Sequence, residues 1–151
     1  MGRAVVIGAG NAWRRDDGVG RRVAQCLRGR VPAAVDVVEH SGEASELLEA
    51  WRGAELAVVV DAVASGAAPG TVHRLRPDRE PLPAELGAST HGFGVAYAFE
   101  LGRRLGRLPA ALVVYGVEGR DFGYGDTLTP EVEQAAAAVA EEILRELRMR
   151  V

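Results

Sequence analysis

Hydrophobic positions along this chain follow two rhythms, and the rhythms alternate. Ala4 to Ala9 is apolar without a polar break, as expected of a strand covered on both faces. Asp17 to Arg28 follows with Val19, Val23 and Leu27 at four-residue intervals, which predicts a helix with one buried stripe. Val35 to Val38 reads as a short second strand. Glu43 to Trp51 returns to helical spacing, with Ala44, Leu47, Leu48 and Trp51 on one side. Leu56 to Val60 is apolar throughout and predicts a central strand. Gly70 to Leu75 alternates after a Pro-Gly turn and predicts a more exposed one. Arg76 to Ala88, interrupted by Pro77, Pro81 and Pro83, reads as a surface loop. Phe93, Tyr97, Leu101 and Leu105 mark a third helix, and Ala111 to Tyr115 another buried strand. Thr129 is a suitable N-cap with Pro130 at the first helical position, opening a last helix that runs to about Leu147.

Strands alternating with helices predict a parallel-rich α/β domain. At 151 residues the chain fits one domain spanning residues 1–151, long enough to bury a core without staples. The apolar fraction of 48% and mean hydropathy of +0.01 suit a soluble globular protein. A formal net charge of −3 argues against a nucleic-acid partner. All 18 basic residues are arginine, scattered without a long run, which fits a coding bias better than a phosphate-binding surface. The single cysteine, Cys26, excludes an internal disulfide and a cysteine-rich zinc site, and its position predicts a lightly buried thiol on the first helix. There is no cleavage-signal pattern, and no apolar run reaches the roughly 18 residues needed to span a membrane. The expected compartment is the cytoplasm, with no membrane partner.

Open α/β sheets bind ligands beyond the carboxyl ends of their strands. Three potential metal ligands follow predicted strands or loops at that edge: Asp17, Asp61 and His91. One imidazole and two carboxylates suit a divalent transition metal and leave positions open for water or substrate. Each residue also has a simpler reading. Asp16 and Asp17 can serve as helix-terminus acids, Asp61 can bond loop amides, and His91 can be a first-turn residue behind Ser89 or Thr90. His73 alternates with Val72 and is expected on a solvated face. His40, at the end of the second strand, stands near the same edge as a supporting residue. The Gly8-Ala-Gly10 turn with Glu39 invites a dinucleotide reading, yet Trp13 is too bulky for the close helix packing of that motif. No Ser-His-Asp or Cys-His set is evident.

Taken in order, the motifs resemble the hydrogenase maturation proteases. They begin with Val6-Ile-Gly-Ala-Gly-Asn-Ala-Trp-Arg-Arg-Asp-Asp-Gly-Val-Gly20 and continue with Val60-Asp-Ala-Val63 and Pro69-Gly-Thr-Val72. Ser89-Thr-His-Gly-Phe-Gly94, Tyr115-Gly-Val-Glu118 and Leu128-Thr-Pro130 complete the series across nearly the whole chain. The resemblance implies a three-layer α/β/α sandwich around a mostly parallel five-stranded sheet with one antiparallel strand, assigned to Gly70–Leu75. It implies an endopeptidase that removes the C-terminal extension of a nickel-loaded [NiFe] hydrogenase large-subunit precursor. Nickel would arrive with that precursor and be held by Asp17, Asp61 and His91, while other divalent metals occupy the site in isolation. The chain departs from the family at His40-Ser41-Gly42-Glu43, where many members carry an Asp-Gly-Gly-Thr-like turn. His40 and Glu43 are therefore candidate supporting residues, and so is Glu118, for which loop capping is the alternative. The implied metal is either catalytic or a token by which the enzyme checks loading. The competing function is a non-catalytic module that holds the loaded precursor; a dinucleotide-dependent oxidoreductase is disfavoured by Trp13.

Overall fold

A computed structural model describes residues 2–87 and 94–150. Five strands form one sheet in the order β2-β1-β3-β5-β4. They are β1 (Ala4–Ala9), β2 (Val35–His40), β3 (Leu56–Val63), β4 (Val72–Leu75) and β5 (Ala111–Glu118). All neighbouring pairs are parallel except β4 with β5, which is antiparallel. The reversed strand is thus the predicted one, shortened to Val72–Leu75 and placed at an edge.

Strand parity sorts the core into two faces. Val6, Val58, Val60, Val113 and Tyr115 pack on one side with Val19, Val23 and Leu27 of α1 (Val19–Leu27) and with α5 (Pro130–Arg150). Val5, Ile7, Ala57, Val59 and Val114 pack on the other with Leu47 and Trp51, on and just after α2 (Ala44–Ala50), and with Val95 and Ala98 of α4 (Gly94–Leu105). Because both faces are covered, β1 and β3 read as continuous apolar runs rather than alternating ones. The result is the three-layer α/β/α sandwich.

Several boundaries differ from those predicted, each for a local reason. The expected helix from Asp17 is split: a 3-10 turn, Arg15–Gly18, precedes α1. Strand β3 runs past Val60 to Val63 because β5 continues alongside to Glu118 and supplies ladder partners, with Asp61 opposite Gly116. The proline-rich loop holds one short helical turn, α3 (Ala84–Gly87). Cys26 lies on α1, partly buried and free, as expected.

Candidate active site

The chain switches direction between β1 and β3. The connection from β1 leads through α1 to β2 on one side, while β3 lies on the other. A crevice opens at the carboxyl ends of strands around such a point. Here it is a cavity of about 430 Å³ whose lining includes Arg14, Asp17, Glu43, Asp61, Glu85 and Phe122.

Asp17 reaches the cavity from the 3-10 turn after β1. Its Oδ2 accepts the Asn11 amide N–H at 2.8 Å, which orients the carboxylate. Gly10 makes this approach possible: its φ is +132°, and a Cβ there would stand 1.9 Å from the Asp17 carbonyl oxygen. Asp61 sits within β3, in the same parity as Val59, so its side chain falls on the α2/α4 face. Its Oδ1 accepts the Ala62 N–H at 2.8 Å. Burial, and next the charge of nearby Asp17, push its pKa well above the ordinary carboxyl value. The two acids therefore line one cavity, with Asp61 inside its strand rather than after it. Among the described residues neither Asp17 Oδ1 nor Asp61 Oδ2 accepts a hydrogen bond. That leaves one open oxygen on each acid, a donor set that fits a cation. The third expected ligand, His91, lies outside the described residues, and those residues alone contain no cluster of three metal-ligating side chains.

The supporting candidates separate. Glu43 lines the cavity just before α2. His40 ends β2 but lies outside the cavity lining, its Nδ1 3.5 Å from Glu46 Oε2. Glu118 is almost fully buried and takes the loop-capping role: it accepts the Ser65 N–H at 3.1 Å and the Ser65 hydroxyl, fixing the turn after β3. His73 corrects the expectation of a solvated face, since its Nε2 is 3.0 Å from Glu118 Oε1. Serine, glutamate and histidine thus cluster, but with the carboxylate in the middle. The Ser65 hydroxyl donates to the carboxylate and not to the His73 imidazole, so the set is not the serine–imidazole arrangement of a nucleophilic triad.

Asp16 is the residue the sequence misjudged. Instead of complementing a helix end, it is fully buried and accepts four hydrogen bonds. Three come from the backbone N–H groups of Arg120, Asp121 and Thr129, and one from the Thr129 hydroxyl, all at 2.8–3.0 Å. Burial pulls its pKa up, yet these bonds outweigh that pull and leave it below the ordinary value. Sequence spacing also missed Arg14 and Phe122 as cavity-lining residues. Applying the carboxyl-edge rule to the loop after β5 would have pointed to Phe122.

Comparison with known proteins fits this fold. The family model described as hydrogenase maturation protease matches residues 22–146. The chain belongs to the hydrogenase maturation protease family. It is 30% identical over 149 residues to the hydrogenase 2 maturation protease of Escherichia coli K12, covering 97% of this chain and 91% of that one. The hydrogenase maturating endopeptidase HybD from E. coli superposes with a TM-score of 0.80 at 30% identity, over 98% of this chain and 93% of that one. The solution structure of an endopeptidase from E. coli gives a TM-score of 0.85 at 29% identity, with the same coverage. Membership in this protease family assigns the chain as an endopeptidase of hydrogenase maturation. It also removes the dinucleotide-dependent reading, as does Trp13, which is 69% exposed rather than packed between helix and strand.

Proposed function

We propose that this protease is metal-dependent and removes the C-terminal extension of a [NiFe] hydrogenase large-subunit precursor that arrives already loaded with nickel. The observation that carries this reading is the Asp17–Asp61 pair. Two acids, one on the 3-10 turn after β1 and one within β3, line one cavity, where burial and next the charge of Asp17 raise the pKa of Asp61. Such a pair is costly when empty and favourable around a cation. His91 completes the proposed ligand set, and Glu43 lines the same cavity as Asp17 and Asp61. A divalent ion bound there polarises a carbonyl or lowers the pKa of a water. The chain's own contribution is to hold Asp17 through Asn11 and Asp61 through Ala62, each with one oxygen left free at the cavity. No helix among the described residues is long and apolar enough to cross a membrane.

The test is a gel assay of tail release from purified nickel-loaded precursor. Asp17→Ala, Asp61→Ala and His91→Ala should each reduce cleavage by roughly a hundredfold or more while keeping the melting temperature within a few degrees. Precursor without nickel should resist the wild-type enzyme. Wild-type rates in the substituted proteins would remove the proposed site, and equal cleavage of nickel-free precursor would remove the metal from the function. Precursor binding without cleavage by the wild-type protein would return it to a holding module.

A further inference from the structure

Arg14 differs from its arginine neighbours. Arg15, Arg21 and Arg22 each have a carboxylate within 4 Å, from Asp121 (3.6 Å), Glu39 (3.8 Å) and Glu133 (2.6 Å) respectively. Arg14 has none among the described residues, although it lines the cavity beside Asp17. Its pose is nevertheless fixed. Nε donates to the Phe122 carbonyl at 2.9 Å, and the guanidinium carbon lies 5.2 Å from the centre of the Tyr124 ring. A cation over an aromatic face is held without being neutralised. The two terminal amino groups are left as a planar fork, the geometry that grips a carboxylate through two parallel hydrogen bonds.

The backbone beneath is equally prepared. Residues 13–15 run beside Gly125 as a parallel bridge: Arg15 N–H donates to Gly125 O and Gly125 N–H to Trp13 O, both at 3.0 Å. Arg15 holds a positive φ of 48°, a strained conformation that the paired loop maintains. On this ledge stand two large aromatics with no packing duty, Trp13 at 69% and Tyr124 at 88% exposed. The cavity is thus polarised. Its other charged lining residues, Asp17, Glu43, Asp61 and Glu85, are all acids, and Arg14 is the only cation lining it among the described residues. A ligand matching that pattern carries a cation at one end and a carboxylate at the other, with apolar surface against the ledge.

We propose that Arg14 is a specificity residue that receives a carboxylate of the precursor's C-terminal extension, with Trp13 and Tyr124 as the apolar ledge on which that extension lies. This rests on reading the protein as the protease that trims the precursor. The carboxylate belongs either to an acidic side chain of the extension or to its terminus.

The experiment uses the full-length protein and purified nickel-loaded precursor, with cleavage kinetics and precursor binding to the immobilised protein measured separately. Arg14→Met should raise KM about tenfold with kcat within about twofold and an unchanged melting temperature, the signature of a lost charge-assisted contact. Arg14→Lys should recover part of the loss, and Tyr124→Leu should raise KM about threefold by freeing the guanidinium. Precursors with extension acids changed to amides, or with a terminal carboxamide, identify the source: the one that erases the difference between wild type and Arg14→Met carries the carboxylate. A difference that survives both precursors overturns the carboxylate assignment. A KM unchanged in Arg14→Met overturns the role of Arg14 and leaves the protease reading intact. If the wild type does not cleave, that reading fails, and binding decides: weaker precursor binding by Arg14→Met keeps the proposal, while equal binding or none overturns it.

Discussion

Asp16 and Asp17 are adjacent in sequence and opposite in duty. Asp16 is spent on structure: four donors from the loop between β5 and α5 converge on it, tying that loop to the 3-10 turn. Asp16→Ala should therefore cost about 3 kcal/mol in a urea titration, because one buried and two part-buried amides lose a charged partner. Asp17→Ala leaves a single Asn11 amide near solvent and should cost under about 1 kcal/mol. The pH dependence separates Asp16 from Asp61. The lowered pKa of Asp16 gives stability that is fully present above the unfolded carboxyl value and is lost as pH falls through the folded one. The raised pKa of Asp61 acts in the other sense: its contribution is present below the unfolded value and declines as pH rises through the folded one. Asp61→Asn should thus flatten the fall of stability on the neutral side of the unfolded carboxyl value. Urea midpoints measured from pH 4 to 8 check this, and an unchanged slope would contradict the assigned burial and repulsion.

At the scale of elements, the layer order was legible because β1 and β3 are apolar on both faces while α1 shows one stripe. Valine runs of strand length do not suit amphipathic surface helices, and Arg21 and Gln25, which in a strand would share the face of Val19, Val23 and Leu27, argue against a strand there. The meeting of Asp17 with Asp61 was legible for the same reason, since the carboxyl-edge rule needs only strand order. What stayed hidden depends on partners distant in sequence. Asp16 bonds groups in a loop more than a hundred residues away, and no local pattern distinguishes that from a helix-capping acid. Glu118 with His73 is hidden similarly, because the pairing arises only when β4 lies antiparallel to β5. The close approach of α1 to the sheet depends on a glycine. A Cβ on Gly20 would stand 2.2 Å from the Val60 carbonyl oxygen and 2.4 Å from that of Ala9. Gly20→Ala must therefore push α1 off β1 and β3, at a cost of about 3 kcal/mol. Since the turn bearing Asp17 runs directly into α1, tail release should fall with it, measured as activity at a temperature where the variant remains folded.

The whole molecule keeps its fold and its site apart. Both core faces are closed by aliphatic packing, whereas Asp17 and Asp61 lie at the sheet's carboxyl edge, where their repulsion opposes rather than supports folding. An unpaired charge placed in the core by Val59→Asp should unfold the protein, since that position is fully buried in the central strand. A cation at the edge should do the reverse through mass action and through relief of like charge. Protein stripped with a chelator should melt cooperatively at the same temperature as untreated protein, because both core clusters are built from apolar side chains rather than from the proposed ligands. Added nickel at about a hundred times its dissociation constant should stabilise the wild type by about 2.7 kcal/mol, a shift of a few degrees for a chain of this size. Asp61→Ala should melt at or slightly above the metal-free wild type and gain little from nickel. The decisive comparison is that difference between two melts in the same buffer: an equal nickel shift in both proteins would place the ion elsewhere.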